Sequence, residues 1–221
     1  MKILLIAGHG QGDPGATANG YKEAELTREV VNLLKPRLDN YADVTIADTT
    51  KNWYKYENRS KFDFTPYDYV LEIHFNAGAN DTKGNRATTG TEIYITTSEK
   101  THGVETNIVN NISSIGFKNR GVKRKNFTVI QHAKYLGVSS ALLEVCFVDD
   151  IDDMKLYQSK KSEVIKAVAD GIIKGFSLKQ KEADAVAIIK EKIGLEQQTI
   201  EYLQAYKYGK ELIEKIAKAV K

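Results

Sequence analysis

The chain has 221 residues and a mass of 24.7 kDa, long enough to bury a core without disulfide or metal staples. With 42% hydrophobic and 28% charged residues and a mean hydropathy of −0.40, its composition excludes disordered, collagen-like and membrane-embedded classes. Thirty-two basic against 29 acidic side chains leave a net charge of only +3, which argues against a nucleic-acid-binding surface, and one cysteine with four histidines excludes disulfide frameworks and cysteine-rich zinc modules.

The opening MKILLIAGHG has a short apolar run and no small-residue cleavage pattern, so it reads as a buried strand over Lys2 to Ala7 rather than a secretory signal. A cytoplasmic starting point and no membrane insertion are expected. The following loop, AGHGQGDPGATANG, holds five glycines and a proline but lacks the Gly-Lys-Ser/Thr ending of a phosphate loop, so the glycines are read as clearing space around His9. A helix begins near Glu23, with Leu26, Val30, Leu33, Leu34 and Leu38 as its apolar stripe and Pro36 ending or kinking its last turn. Further strands are expected over Val44 to Ala47, Tyr69 to Asn76, Thr91 to Thr96, Thr128 to Gln131 and Ala141 to Phe147. Helices are expected over Lys100 to Ile115 and over Ser162 to Phe176, the latter with Val164, Ile165, Val168, Ile172 and Ile173 in a stripe. The basic run KNRGVKRKN, Lys118 to Asn126, reads as a solvated loop that would attract a carboxylate-bearing substrate if it flanks a site. Alternation of these elements predicts an α/β domain.

From Leu178 onward proline and histidine disappear and Lys, Glu, Ala and Ile dominate. The chain is therefore divided into a domain over 1–178 and a small helical module over 179–221. Three short helices are expected in the module, with Gly194 and Gly209 as stops and Leu212, Ile216 and Val220 as the stripe of the last.

Four side chains carry the chemistry. His9 and His74 close two strands at the same rim of a sheet, where open α/β folds place their ligands, and a carboxylate at the first turn of the intervening helix would let all three converge on a metal. Spacing alone leaves Glu23, Glu25 and Glu29 in competition for that carboxylate. Glu144 interrupts the apolar run ALLEVCF, an expensive place for an acid unless it is paired, with Arg59 as one partner, or faces a site. Cys146 is expected on the face of Glu144 as a small buried hydrophobe, while His102 and His132 are read as bystanders.

In this order, AGHGQGDPGA, GYKEAEL, EIHFNA, GTEIYI, RGVKRKNFTVI and ALLEVCFVDDIDDMKL resemble the successive motifs of the zinc-dependent N-acetylmuramoyl-L-alanine amidases of the Amidase_3 family, over about Met1 to Phe176. The resemblance implies a twisted, mostly parallel sheet flanked by helices, of zinc-exopeptidase type. It selects Glu23 over Glu25, implies one zinc ion on His9, Glu23 and His74 with Asn76 as companion, and makes Glu144 the catalytic residue. It also implies peptidoglycan as partner and cleavage of the amide between N-acetylmuramic acid and L-alanine, in the manner of a phage endolysin held in the cytoplasm until release. The C-terminal helices would then bind the wall or form a homo-oligomer. Two departures stand out: Ile6 occupies a position where the family commonly has aspartate, and Glu72 stands where it has serine. A zinc peptidase acting on stem peptides is the alternative reading.

Overall fold

The computed structural model describes residues 1–181 and 185–220. Two compact units are present, Met1–Lys179 and Gln180–Lys221.

The first unit runs β1 (Lys2–Ala7), β2 (Thr17–Ala18), β3 (Tyr21–Lys22), α1 (Glu23–Leu38), β4 (Asp43–Ile46), α2 (Tyr56–Arg59), β5 (Tyr69–Asn76), β6 (Thr91–Ile95), α3 (Gly103–Ser113), β7 (Asn119–Arg124), α4 (Thr128–Tyr135), β8 (Ser139–Phe147) and α5 (Ile151–Gly175). Six strands form one sheet in the order β4-β1-β5-β8-β6-β7. Pairing is parallel from β4 through β8, antiparallel between β8 and β6, and parallel again between β6 and β7. The sheet is thus mixed and mostly parallel, as expected.

Both faces of the central strands are covered, which is why their sequences read as continuous apolar runs. Ile3, Leu5, Leu71, Ile73 and Leu143 pack with Leu26, Val30 and Leu34 of α1 and with apolar residues of α3 and α5. Leu4, Ile6 and Val70 point the other way, against Trp53, Phe64 and the α4 residues Val129 and Ala133. Alternation along β5 and β8 therefore sends Glu72, His74 and Glu144 to the α4 face.

Several expectations need correction. Thr128 to Gln131 is not a strand but the start of α4: its β-branched residues mimic strand composition, yet Val129, Ile130 and Ala133 are buried at helical spacing. The basic run Lys118 to Asn126 contains β7, an edge strand whose charged side chains suit the unpaired side of a sheet. Helix α5 begins at Ile151, eleven residues before the expected Ser162, because Asp150 caps it by accepting from the amides of Asp152 and Asp153 at 2.8 and 3.0 Å. Its backbone leaves helical geometry at Lys160, so the expected helix is the part beyond that kink. Leu33 lies 42% exposed, and Val31 takes the buried place on α1. Cys146 does not share the face of Glu144: a register shift between β5 and β8 beyond His74 turns Cys146 into the α1/α3/α5 core.

The aspartates around the start of α5 also organise the long connection between β5 and β6. Asp149 accepts from the amides of Gly78, Ala79 and Asn80, and Asp152 from those of Asn85 and Arg86. Asp150 accepts from Thr89 and Asp153 from Gly90. Burial pushes the Asp153 carboxyl up to about 6, against the backbone amides of Phe147 and Gly90 that favour its charge. Its folded value lies above its unfolded one, so its contribution to stability is complete below the ordinary carboxylate range and fades as pH rises through about 6. Asp153→Asn is expected to flatten the dependence of unfolding free energy on pH between about 4 and 7, by up to about 3 kcal/mol. Urea titrations across that range measure it, and an unchanged slope would contradict the assignment.

The second unit holds α6 (Ala185–Ile193), α7 (Gln197–Ala205) and α8 (Gly209–Ala219) around Ile189, Ile200, Ile213 and Ala217. Gly194 follows α6 with a φ of 72°, the expected stop. Gly209 instead opens α8, where a side chain would strike the Leu203 carbonyl. The buried stripe of α8 is Ile213 and Ala217 with Ile216 beside it, while Leu212 is 39% exposed.

Candidate metal centre

The C-terminal ends of β1, β5 and β8 open into a cavity of about 500 Å³ lined by His9, Glu23, Glu72, His74, Asn76 and Glu144, among others. Chain geometry brings these together in steps. Parallel pairing sets Ala7 beside Ile73 and His74 beside Glu144, so the two histidines end up at one rim and Glu144 next to the second. The small β2/β3 hairpin then returns the chain to the rim and starts α1 at Glu23.

Glu23 is 4% exposed and joins both imidazoles: its Oε2 lies 3.0 Å from His9 Nε2 and its Oε1 2.8 Å from His74 Nδ1. The same carboxylate accepts from the amides of Ala16 and Phe75 at 2.9 and 3.0 Å. His9, Glu23 and His74 each offer a ligand atom, and these atoms lie within 4.8 Å of one another. Burial opposes charge on Glu23, yet the hydrogen bonds from His74 and His9 hold its pKa far below the usual carboxylate range. Burial likewise pulls down His74, but Glu23 and Glu72 overcome it and raise that imidazole well above its ordinary value. His9 is raised in the same way, by Glu23 and then Asp13 against its burial. Two imidazoles and a carboxylate this close are held together by charge in the protein alone, and the same donor set suits a divalent ion such as zinc. His74 Nε2 is buried without an aligned hydrogen bond, though Glu72 Oε1 lies 3.2 Å away.

Small residues make room for this cluster. A side chain on Gly8 would run into the His74 ring, and one on Gly15 would meet Glu23 Oε2 and His9 Cδ2 at 2.7 Å. His9 itself sits at a φ of 62°, a conformation that costs energy outside glycine and is held here by its surroundings. Arg28 supplies much of that hold, donating to the carbonyls of Gly8, His9, Ala24 and Thr49. Asp13 Oδ2 accepts from His9 Nδ1 at 2.9 Å and from Asn52 Nδ2 at 3.0 Å, which turns Nε2 of the ring inward. Asp13 and Asn52 therefore do the orienting that Ile6 cannot.

Glu144 stands beside His74 on the neighbouring strand. Its Oε2 is buried with no hydrogen-bond partner, and Arg59 donates to the Tyr54 carbonyl instead of reaching it. Burial pushes the carboxyl up to about 7; the nearby His74 charge opposes this, while Glu23, Glu92 and Glu72 add to it. A carboxyl poised near neutrality in a cleft is suited to taking up and returning a proton. Glu25 pairs with Lys22 and Glu29 with Lys161, so neither competes with Glu23. His102 contacts Thr106 and His132 packs on Phe64, away from the centre.

One residue next to the site was not anticipated. Glu92 of β6 lies directly opposite Glu144 in the β6/β8 pairing and is 1% exposed. It accepts from Asn76 Nδ2 at 2.9 Å and the Tyr94 hydroxyl at 2.7 Å, and it pairs with Arg120 and Lys123 of β7. An acid within the apolar strand TEIYI carries the same signal that singled out Glu144.

A family model described as N-acetylmuramoyl-L-alanine amidase, Amidase_3, matches residues 3–174. The chain is 30% identical over 196 residues to the sporulation-specific N-acetylmuramoyl-L-alanine amidase of Bacillus subtilis, covering 81% of this chain and 70% of that protein. It is 26% identical over 189 residues to the endolysin of Bacillus phage SPP1, covering 81% of this chain and 67% of the endolysin. Among solved structures, the N-acetylmuramoyl-L-alanine amidase AmiC2 of Nostoc punctiforme superposes with a TM-score of 0.67 at 20% identity, covering 80% of this chain and 97% of that one, a likeness of fold.

Proposed function

Because this chain belongs to the N-acetylmuramoyl-L-alanine amidase family, we propose that it cleaves the muramoyl–L-alanine amide of peptidoglycan by zinc-assisted hydrolysis, with one ion held by His9, Glu23 and His74 and Glu144 moving the proton. The observation that carries this reading is the convergence of those three donors beside Glu144, a half-buried carboxylate whose Oε2 has no hydrogen-bond partner. Zinc bound to such a set acidifies water and polarises a carbonyl placed beside it.

The chain's own residues supply the rest. Glu23, fixed by two backbone amides, sets the spacing of the imidazoles, and Asp13 orients the first of them. Glu144 takes a proton from the attacking water and returns it to the amine of the departing L-alanine, a role that its near-neutral pKa favours in both directions. Asn76 lines the cavity with its side chain fixed, its Nδ2 donating to Glu92 and its Oδ1 accepting from the Ala77 amide. Among the described residues no helix is long and apolar enough to cross a membrane. To the second unit we assign attachment to the wall or pairing with another copy.

Digestion of purified peptidoglycan followed by mass spectrometry tests the reaction. Free stem peptides beginning with L-alanine are expected, and their release should stop on chelation and return with zinc. Fragments cut within the stem peptide would favour the peptidase alternative instead.

A further inference from the structure

The flank of the site along β6 and β7 carries more positive charge than its own acid requires. Glu92 is a single carboxylate, yet Arg120 and Lys123 both pair with it, on a strand two places from β8 in the sheet. The two cations are held in place by aromatic faces: Arg120 lies 4.8 Å from the Phe147 ring centre and Lys123 5.6 Å from that of Tyr94. Their side chains are nevertheless 29% and 37% exposed, so a second anion has access to them. Glu92, Tyr94 and Glu144 share a face of the sheet, since Glu92 pairs with Glu144 and Tyr94 with Leu142. Tyr94 in turn packs edge-on against Phe127 of the cavity wall, with ring centres 4.9 Å apart.

We propose that Lys123 and Arg120 form a recognition site for a free carboxylate on the stem peptide, so that the enzyme discriminates acidic stems from amidated ones. This deepens the muramoyl-amide reading and rests on it. Strands in a sheet are about 4.8 Å apart, which puts β7 roughly 10 Å from the strand of Glu144. An extended peptide advances about 3.5 Å per residue, so a stem leaving the cavity across β6 reaches the cations within about two to three residues. The second stem residue, a glutamate joined through its side chain, presents its α-carboxylate in that range. The opposite flank offers Asp13 and the wall offers Glu72, both of which repel such a group.

The test uses the full chain and two synthetic muramyl tripeptides with amidated C-termini, differing only in whether the second residue bears a free α-carboxylate or a carboxamide. Wild type is expected to favour the acid in kcat/KM by roughly 10-fold to 100-fold, chiefly through KM, as a charge-assisted contact would give. Lys123→Met should bring that preference close to one, and Lys123→Arg should retain it. Absence of a preference in wild type overturns the proposal. So does a Lys123→Met enzyme that keeps the preference, or one that loses kcat equally on both substrates, because the lysine then serves Glu92 alone. If neither substrate is cut, the amidase reading fails, and calorimetric titration with L-alanyl-γ-D-glutamate and its amide decides the proposal. Tighter binding of the acid to wild type than to Lys123→Met upholds it; equal binding overturns it.

Discussion

Replacing Glu144 by glutamine should lower the rate of peptidoglycan hydrolysis by roughly 10² to 10⁴ while leaving zinc content and fold unchanged. The substitution keeps the shape of the side chain and removes its ability to exchange a proton. Fold should survive because Glu144 Oε2 has no hydrogen-bond partner to lose, and burial, aided by Glu23, Glu92 and Glu72 and opposed by His74, disfavours its negative charge. A neutral amide in that place avoids the cost of burying a charge but gives up the attraction of His74, so the thermal midpoint is expected to stay close to that of the wild type. Wall-suspension clearance, zinc by elemental analysis and a melting curve on the same preparation form the measurement. A Glu144→Gln protein that clears walls at the wild-type rate would remove Glu144 from the mechanism.

Glu23→Ala is expected to act differently, abolishing both zinc retention and activity and lowering stability as well. Its carboxylate is shared by His9, His74 and the amides of Ala16 and Phe75, so truncation strands four polar groups at once. Leaving buried donors unsatisfied costs about 1–3 kcal/mol each before relaxation or water entry. The two raised imidazoles would also lose the charge that stabilises their protonated forms. The contrast between the variants is the informative result: Glu144→Gln loses turnover alone, whereas Glu23→Ala loses metal, turnover and stability together. Stoichiometric zinc in Glu23→Ala would refute the ligand assignment.

Much of this centre can be read before any coordinates, because it depends on strand ends. Apolar runs closing in His9 and His74 place both at one rim, and an acid within the apolar run of β8 has few places to go except a site. Glu23 is harder, since helix-start glutamates are common and only the motif around Gly20 separates it from Glu25. Other features depend on tertiary context that no local pattern contains. The β-branched residues of Thr128 to Gln131 fit a strand as well as a helix, and only packing beneath the sheet decides for α4. Strand β7 has one apolar residue, Val122, because an edge strand has little to bury. The inward turn of Cys146 follows from a one-residue irregularity between β5 and β8, which alternation along the strand does not foresee. The pairing of Glu92 with Arg120 and Lys123 joins residues about thirty positions apart, and the basic run carries no local mark of that partner.

The aspartates at the head of α5 have a consequence for anyone recombining this domain. Because Asp149, Asp150, Asp152 and Asp153 grip the backbone between Gly78 and Gly90, that connection owes its shape to a helix some sixty to seventy residues downstream. Transplanting the connection into a related scaffold without the matching helix start would deliver the right letters and the wrong path. The two stretches behave as one inheritable part, and chimeras should be cut so that both come from the same parent.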